Sequence, residues 1–142
     1  MRTLTQLLDA KPLRLVSISP NASVYEALET MARYDIGALL VMEESRLVGI
    51  ISERDYARKV TLLRRASRDI RVADIMVRDV LCVSPGMTVE ACLAAMTRHH
   101  VRHLPVVSEG AVIGVLSIGD LVKDVIADQA FAIEQMAAYI CS

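Results

Sequence analysis

Shifted by 65 residues, the chain falls on itself without a gap: Ser19-Pro20 on Ser84-Pro85, Val24 on Val89, Leu28 on Leu93, Met31 on Met96, Arg33 on Arg98. The overlay continues through Leu39/Leu104, Val41/Val106, Glu44/Glu109, Gly49/Gly114, Ser52/Ser117 and Asp55/Asp120, giving 12 identities in the 37 positions 19–55. Most mismatches exchange one apolar residue for another, as at Ile36/Val101, Val48/Ile113 and Ile50/Val115. A repeat fixes architecture before any local element is assigned. Two copies make a paired module with pseudo-two-fold symmetry, not a solenoid.

A chain of 142 residues is long enough for one compact domain with a sizeable core. Its hydrophobic fraction is 54%, yet aromatics are 4% and Trp is absent, so the core must be aliphatic. Such an apolar excess on a small protein points to an interface, and a homodimer is expected. No apolar run approaches ~18 residues, so no membrane span is expected. The opening Met1-Arg2-Thr3-Leu4-Thr5-Gln6 lacks a signal peptide's apolar stretch, and a cytoplasmic location is expected. Cys82, Cys92 and Cys141 show no paired spacing and read as reduced core thiols. Sixteen basic against seventeen acidic residues leave no field to steer nucleic acid.

Each copy reads strand, helix, strand, strand, helix, an α/β (α+β) grammar in which two small sheets bury their faces on one another. Extended stretches at 15–19 and 80–84 end at Pro20 and Pro85. Apolar residues then recur at helical spacing: Val24, Ala27, Leu28, Met31, and Val89, Cys92, Leu93, Met96. Ser23 with Glu26, and Thr88, should cap these helices. Apolar runs 38–42 with 47–52, and 103–107 with 112–117, turn at Glu43-Glu44-Ser45 and Ser108-Glu109-Gly110. The boundaries expected are an N-terminal helical segment 1–14, a first repeat 15–61, a connector 62–78, a second repeat 79–126 and a C-terminal helix 127–142. The connector carries Arg64, Arg65, Arg68 and Arg71 interleaved with Asp69 and Asp74 and reads as a solvated linker. The C-terminal helix, beginning beyond Asp128, carries Phe131, Ile133, Met136, Ala137 and Ile140 and caps the module or joins a dimer. The methionines Met31, Met76, Met87, Met96 and Met136 read as core filler.

The sharpest signal is Gly49-Ile50-Ile51-Ser52-Glu53-Arg54-Asp55 and its copy Gly114-Val115-Leu116-Ser117-Ile118-Gly119-Asp120. The ordinary reading of Ser-x-x-Asp is a helix N-cap. The functional reading uses the same geometry: a strand end and helix start present a hydroxyl, free amides and the positive helix pole to a phosphate. An Asp one turn inside can accept two hydrogen bonds from the vicinal hydroxyls of a ribose.

The doubled motif, with Val101-Arg102-His103-Leu104-Pro105-Val106, resembles the cystathionine β-synthase (CBS) domain pair, or Bateman module, over residues 15–125. The flanking segments look like those of small stand-alone bacterial members. The resemblance implies sheet-to-sheet packing of the copies and clefts for adenosyl ligands such as AMP, ADP, ATP, NAD(H) or S-adenosylmethionine. It implies that Asp55 and Asp120 hold ribose hydroxyls and that Ser52 and Ser117 meet phosphate or ribose oxygens. Ile36 and Val101 would press on adenine, the backbone of 16–18 and 81–83 would read its edge, and Arg102 and His103 would neutralise phosphate. The first copy has Gly37-Ala38-Leu39-Leu40 where the second has Arg102-His103-Leu104-Pro105, and Gly119 falls on Arg54. Arg54, Arg102 and His103 are therefore expected to converge on one phosphate with Lys59 close by, which leaves one occupied cleft or two open.

Other classes are weaker. His99, His100 and His103 lack metal-ligand spacing, because a strand starts between them. Ser52 and Ser117 have no His at a defensible spacing, so no enzyme is expected and no catalytic cofactor. The implied function is a regulatory adenine-nucleotide sensor of energy or redox state, signalling to an unknown protein; the alternative is a structural or dimerisation module without a ligand.

Overall fold

The computed structural model describes residues 2–10 and 15–141, with side chains through 138. Ile140 and Cys141 as side chains, and 11–14 of the expected N-terminal segment, lie outside the described residues. The chain divides into two compact units, Arg14–Leu81 and Met1–Leu13 with Cys82–Ser142. The helix α1 (Leu4–Ala10) thus belongs with the second repeat: Leu4 N–H donates to Met87 O (2.8 Å), Val89 N–H donates to Arg2 O (3.0 Å), and Leu4, Leu7 and Leu8 are buried.

In the first unit β1 (Ser17–Ile18) lies parallel to β2 (Ala38–Glu43), which pairs antiparallel with β3 (Arg46–Ser52). The hairpin register Glu43↔Arg46 leaves a two-residue turn with both Glu44 and Ser45 at positive φ, as a type I′ turn demands. The helix α2 (Val24–Tyr34) starts where Ser23 Oγ accepts from Glu26 N–H (3.1 Å). It ends at left-handed Asp35, after which Ile36 N–H reaches back to Met31 O (3.0 Å). Its stripe Val24, Ala27 and Met31 packs with Leu39, Val41 and Ile51 of the sheet.

The helix after Ser52 runs through α3 (Glu53–Asp55), a π turn (Tyr56–Val60) and α4 (Thr61–Leu63), closing at left-handed Arg64. The stretch 62–78, expected as a solvated linker, is instead half core. A 3₁₀ turn (Ser67–Asp69) and α5 (Val72–Ile75) bury Ile70, Val72, Ile75 and Met76 against the sheet. It is stitched down by Val24 N–H to Ile70 O, Val72 N–H to Ala22 O, and a reciprocal pair between Ile50 and Val77. Its arginines are exposed as expected, yet several are tied down: Arg65 Nη2 donates to Asp69 O (3.1 Å), Arg78 Nη2 donates to Ala73 O (3.0 Å), Arg68 lies 4.3 Å over the Tyr25 ring and Arg71 is 3.3 Å from Asp74.

The second unit repeats the plan with α6 (Val89–His99), β4 (His103–Ser108), β5 (Ala111–Ser117) and α7 (Ile118–Cys141). Thr88 caps α6 through Ala91 N–H (3.1 Å), and the hairpin turns on Glu109 and Gly110 at positive φ. The stretch 80–84 contributes only a bridge, Val83 to Val106, in place of a full strand. The expected break near Asp128 is absent. Beyond Gly119 no Gly or Pro interrupts the sequence, so α7 continues unbroken and the boundary at 126/127 falls inside it. Met136, expected in the core, is exposed, as are Phe131 and Ile133. Cys92 is buried, but Cys82 is exposed on the irregular stretch before α6, against the expectation of core thiols. Burial pushes the Cys92 thiol above its ordinary pKa, and partial desolvation by neighbouring groups raises that of Cys82 in the same direction.

Candidate functional site

Both β3 and β5 end in the serine of the doubled motif, and each serine starts a helix. In the first repeat Ser52 N–H donates to Asp55 Oδ2 (2.9 Å) and Asp55 N–H donates to Ser52 Oγ (3.2 Å). In the second, Ser117 N–H donates to Asp120 Oδ2 (2.9 Å) and Asp120 N–H to Ser117 Oγ (3.1 Å). The capping box is therefore formed in both copies. This is the ordinary N-cap arrangement, and it holds each carboxylate through Oδ2.

The residue before each inner strand closes the junction. Glu53 N–H donates to Gly37 O (3.0 Å) and Ile118 N–H to Arg102 O (2.8 Å). This sets Gly37 beside Ser52–Asp55 and Arg102 beside Ser117–Asp120. His103, the first residue of β4, pairs across the ladder with Ser117, as Ala38 does with Ser52. Ile36 and Val101 sit half-buried just after the left-handed ends of α2 and α6 at Asp35 and His100. His99 and His100 form that exposed helix end, and among the described residues no His/Cys/Asp/Glu group is arranged to hold a metal.

The cations differ between the copies. Lys59, in the π turn, has Nζ 3.4 Å from Asp55 Oδ1 and donates to Ile75 O (2.8 Å), tying the carboxylate to the end of α5. Arg54 lies half-buried in the same helical turn as Asp55. In the second unit Arg102 is exposed and His103 half-buried. The sequence reading missed one pair: Asp124, 7% exposed, lies one turn beyond Asp120, and Arg2 Nη1 is 2.8 Å from its Oδ1. Extending the 65-residue overlay by four positions would have set Asp124 on Lys59 and flagged it.

An open cleft of about 620 Å³ borders the first repeat, lined by Leu15, Val16, Ser17, Thr30, Arg33 and Tyr34. It touches the 16–18 segment but not Ser52 or Asp55. Among the described residues no helix is long and apolar enough to cross a membrane.

A duplicated α/β repeat, each copy presenting a capped serine–aspartate junction at the end of its hairpin, defines a small tandem-repeat class. The family model for the CBS domain matches residues 10–61 and 72–127, and the chain belongs to that family. CBS-domain pairs of this stand-alone kind are regulatory modules. The chain is 48% identical to a putative signal-transduction protein with CBS domains from Burkholderia ambifaria, with a TM-score of 0.87 over 90% of this chain and 96% of that one. It is 37% identical over 123 residues to the mitochondrial CBS domain-containing protein CBSX3 of Arabidopsis thaliana, covering 83% of this chain and 60% of that protein. The chain therefore spans under two thirds of that relative. In fold it also matches the CBS domain pair of MJ0100 in complex with 5′-methylthioadenosine and S-adenosyl-L-methionine. The TM-score is 0.78 at 22% identity, over 90% of this chain and 98% of that one.

Proposed function

We propose that the chain binds an adenosyl ligand (AMP, ADP, ATP, NAD(H) or S-adenosylmethionine) at its serine–aspartate junctions. Binding reports energy or redox state to a partner protein in the cytoplasm. The observation that carries this reading is the paired carboxylate geometry: in each copy one Asp oxygen is held by the serine amide. A carboxylate so oriented suits the two hydroxyls of a ribose, and hydrogen bonds to a charged acceptor are worth about 1.5–3 kcal/mol each. On this reading Asp55 and Asp120 hold ribose, Ser52 and Ser117 meet ribose or phosphate oxygens, and Ile36 and Val101 flank adenine. Arg54, Lys59, Arg102 and His103 supply positive charge for phosphate. Ligand acts by favouring one packing of the module over another, to the extent that its affinity differs between them. The chemistry belongs to binding, so the chain is read as a regulator and not an enzyme.

A second reading, a structural homodimerisation module, is favoured by the C-terminal part of α7, where Ile126, Phe131, Ile133 and Met136 are 59–66% exposed. Thermal shift with AMP, ADP, ATP, NAD, NADH and S-adenosylmethionine separates the two readings. Stabilisation by a member of the panel, lost in Asp55→Ala or Asp120→Ala, supports the sensor. No shift at millimolar concentration for any of them rejects it and leaves the dimerisation reading.

A further inference from the structure

Lys59 and Asp124 are equivalent by the repeat, each one helical turn beyond the motif aspartate and on the same face. The first copy places a cation there, at 3.4 Å from Asp55. The second places a carboxylate there, and that carboxylate is buried. A buried carboxylate persists only when paired, and its partner comes from the opposite end of the chain. Arg2 Nη1 stands 2.8 Å from Asp124 Oδ1.

Arg2 is held there by more than the ion pair. Its carbonyl accepts from Val89 N–H (3.0 Å), its Nη2 donates to Gln6 O (3.2 Å), and Thr3 bridges to Thr88. The buried Leu4, Leu7 and Leu8 anchor the segment behind it.

We infer that the N-terminal segment is a working part of the second ligand site: Arg2 cancels the charge of Asp124 and thereby sets that site's preference for phosphate-bearing over neutral adenosyl ligands. The inference rests on reading Asp120 as a ribose ligand. Arg2 acts through Asp124 as a positioning and charge-compensating residue. Left unopposed, the Asp124 carboxylate repels a phosphate on a ligand bound one turn away and leaves a neutral nucleoside nearly indifferent.

The test is calorimetric titration of AMP and of adenosine, at pH 8 and low salt, in the Asp55→Ala background, where only the second repeat keeps its carboxylate. Arg2→Ala lowers affinity for AMP relative to adenosine by about five- to tenfold, a Coulomb effect of the size expected at partly solvated separations. Arg2→Lys retains most of the ratio, and Arg2→Ala with Asp124→Asn restores it. Asp124→Asn alone, which leaves no buried charge unpaired if Arg2→Ala does not fold, shifts the ratio towards AMP. An equal loss of both ligands in Arg2→Ala, or an unmoved ratio in Asp124→Asn, reduces Arg2 to a packing strut and overturns the inference. Binding by the unaltered chain but not by Asp55→Ala overturns it while sparing the sensor reading; binding of neither probe by the unaltered chain removes both.

Discussion

At Gly49 the first repeat's sheet lies directly against the stretch 62–78, and Gly49→Ala measures how much of the fold depends on that meeting. A Cβ built there stands 2.6 Å from Met76 Sδ and 2.9 Å from Val77 O. The sulfur ends a flexible side chain and can withdraw. The carbonyl is backbone, and moving it breaks the reciprocal bonds between Ile50 and Val77 at 3.0 and 2.9 Å. Two strained hydrogen bonds at about 1 kcal/mol each, with overpacking costs of about 1–3 kcal/mol, give an expected loss of about 3–5 kcal/mol. For a chain of this size that lowers the melting temperature by about 6–20 °C. Calorimetry checks the magnitude, and amide exchange checks the location: Ile50 and Val77 should lose protection while the second unit's hairpin keeps its own. Adding Met76→Ala should not restore stability, because the obstruction is the carbonyl. A Gly49→Ala protein that melts with the unaltered one, with Val77 exchanging freely in both, would mean that residues 62–78 are a linker after all.

Two further outcomes follow from local geometry. The Asp74 carboxyl is held below the ordinary carboxylate pKa, chiefly by accepting from Arg71 N–H and secondarily by the Arg71 side chain. Unfolding therefore takes up a proton, so its contribution is present above the ordinary carboxylate range and is lost as pH falls through the lowered value. Urea titrations should show Asp74→Ala destabilised at pH 7, with the gap closing towards pH 2; a gap that is constant with pH refutes the assignment. At the first hairpin Ser45 has φ 68°, while its repeat counterpart Gly110 has φ 78° and no Cβ to strain. Ser45→Gly should raise stability by about 0.5–1 kcal/mol in the same titrations, since the left-handed cost outweighs glycine's extra entropy; any loss counts against the type I′ turn.

Much of this was legible because it is local or duplicated. The caps at Ser23 and Thr88, the turns at 44–45 and 109–110, and the Ser-x-x-Asp boxes follow from short-range chemistry that the second copy checks. What escaped notice was masked by composition or carried over distance. Five arginines in 62–78 mask Ile70, Val72, Ile75 and Met76, whose uneven spacing matches neither a helix nor a strand because the segment changes conformation between them. The start of the C-terminal helix expected beyond Asp128 has no break to mark it, since nothing on the N-terminal side of that residue stops a helix. Arg2 with Asp124 was invisible to any window, since 122 residues separate the partners.

The two junctions share their carboxylate geometry but not the charged groups around it. In the first repeat the cations Arg54 and Lys59 ride on the helical stretch that carries Asp55, and Lys59 also ties that stretch to Ile75 O. In the second, Arg102 and His103 stand at the entry to β4, tied to the helix through Ile118 N–H, while the helix itself carries a second acid neutralised from the N-terminus. On the proposed reading a phosphate-bearing ligand would meet charge carried by the motif's own helix in one copy and by an assembly of three chain segments in the other. Sites built so differently have no reason to share an affinity or a charge preference. A module that responds by population shift gains from that inequality, because only a ligand that distinguishes between states can move the balance between them.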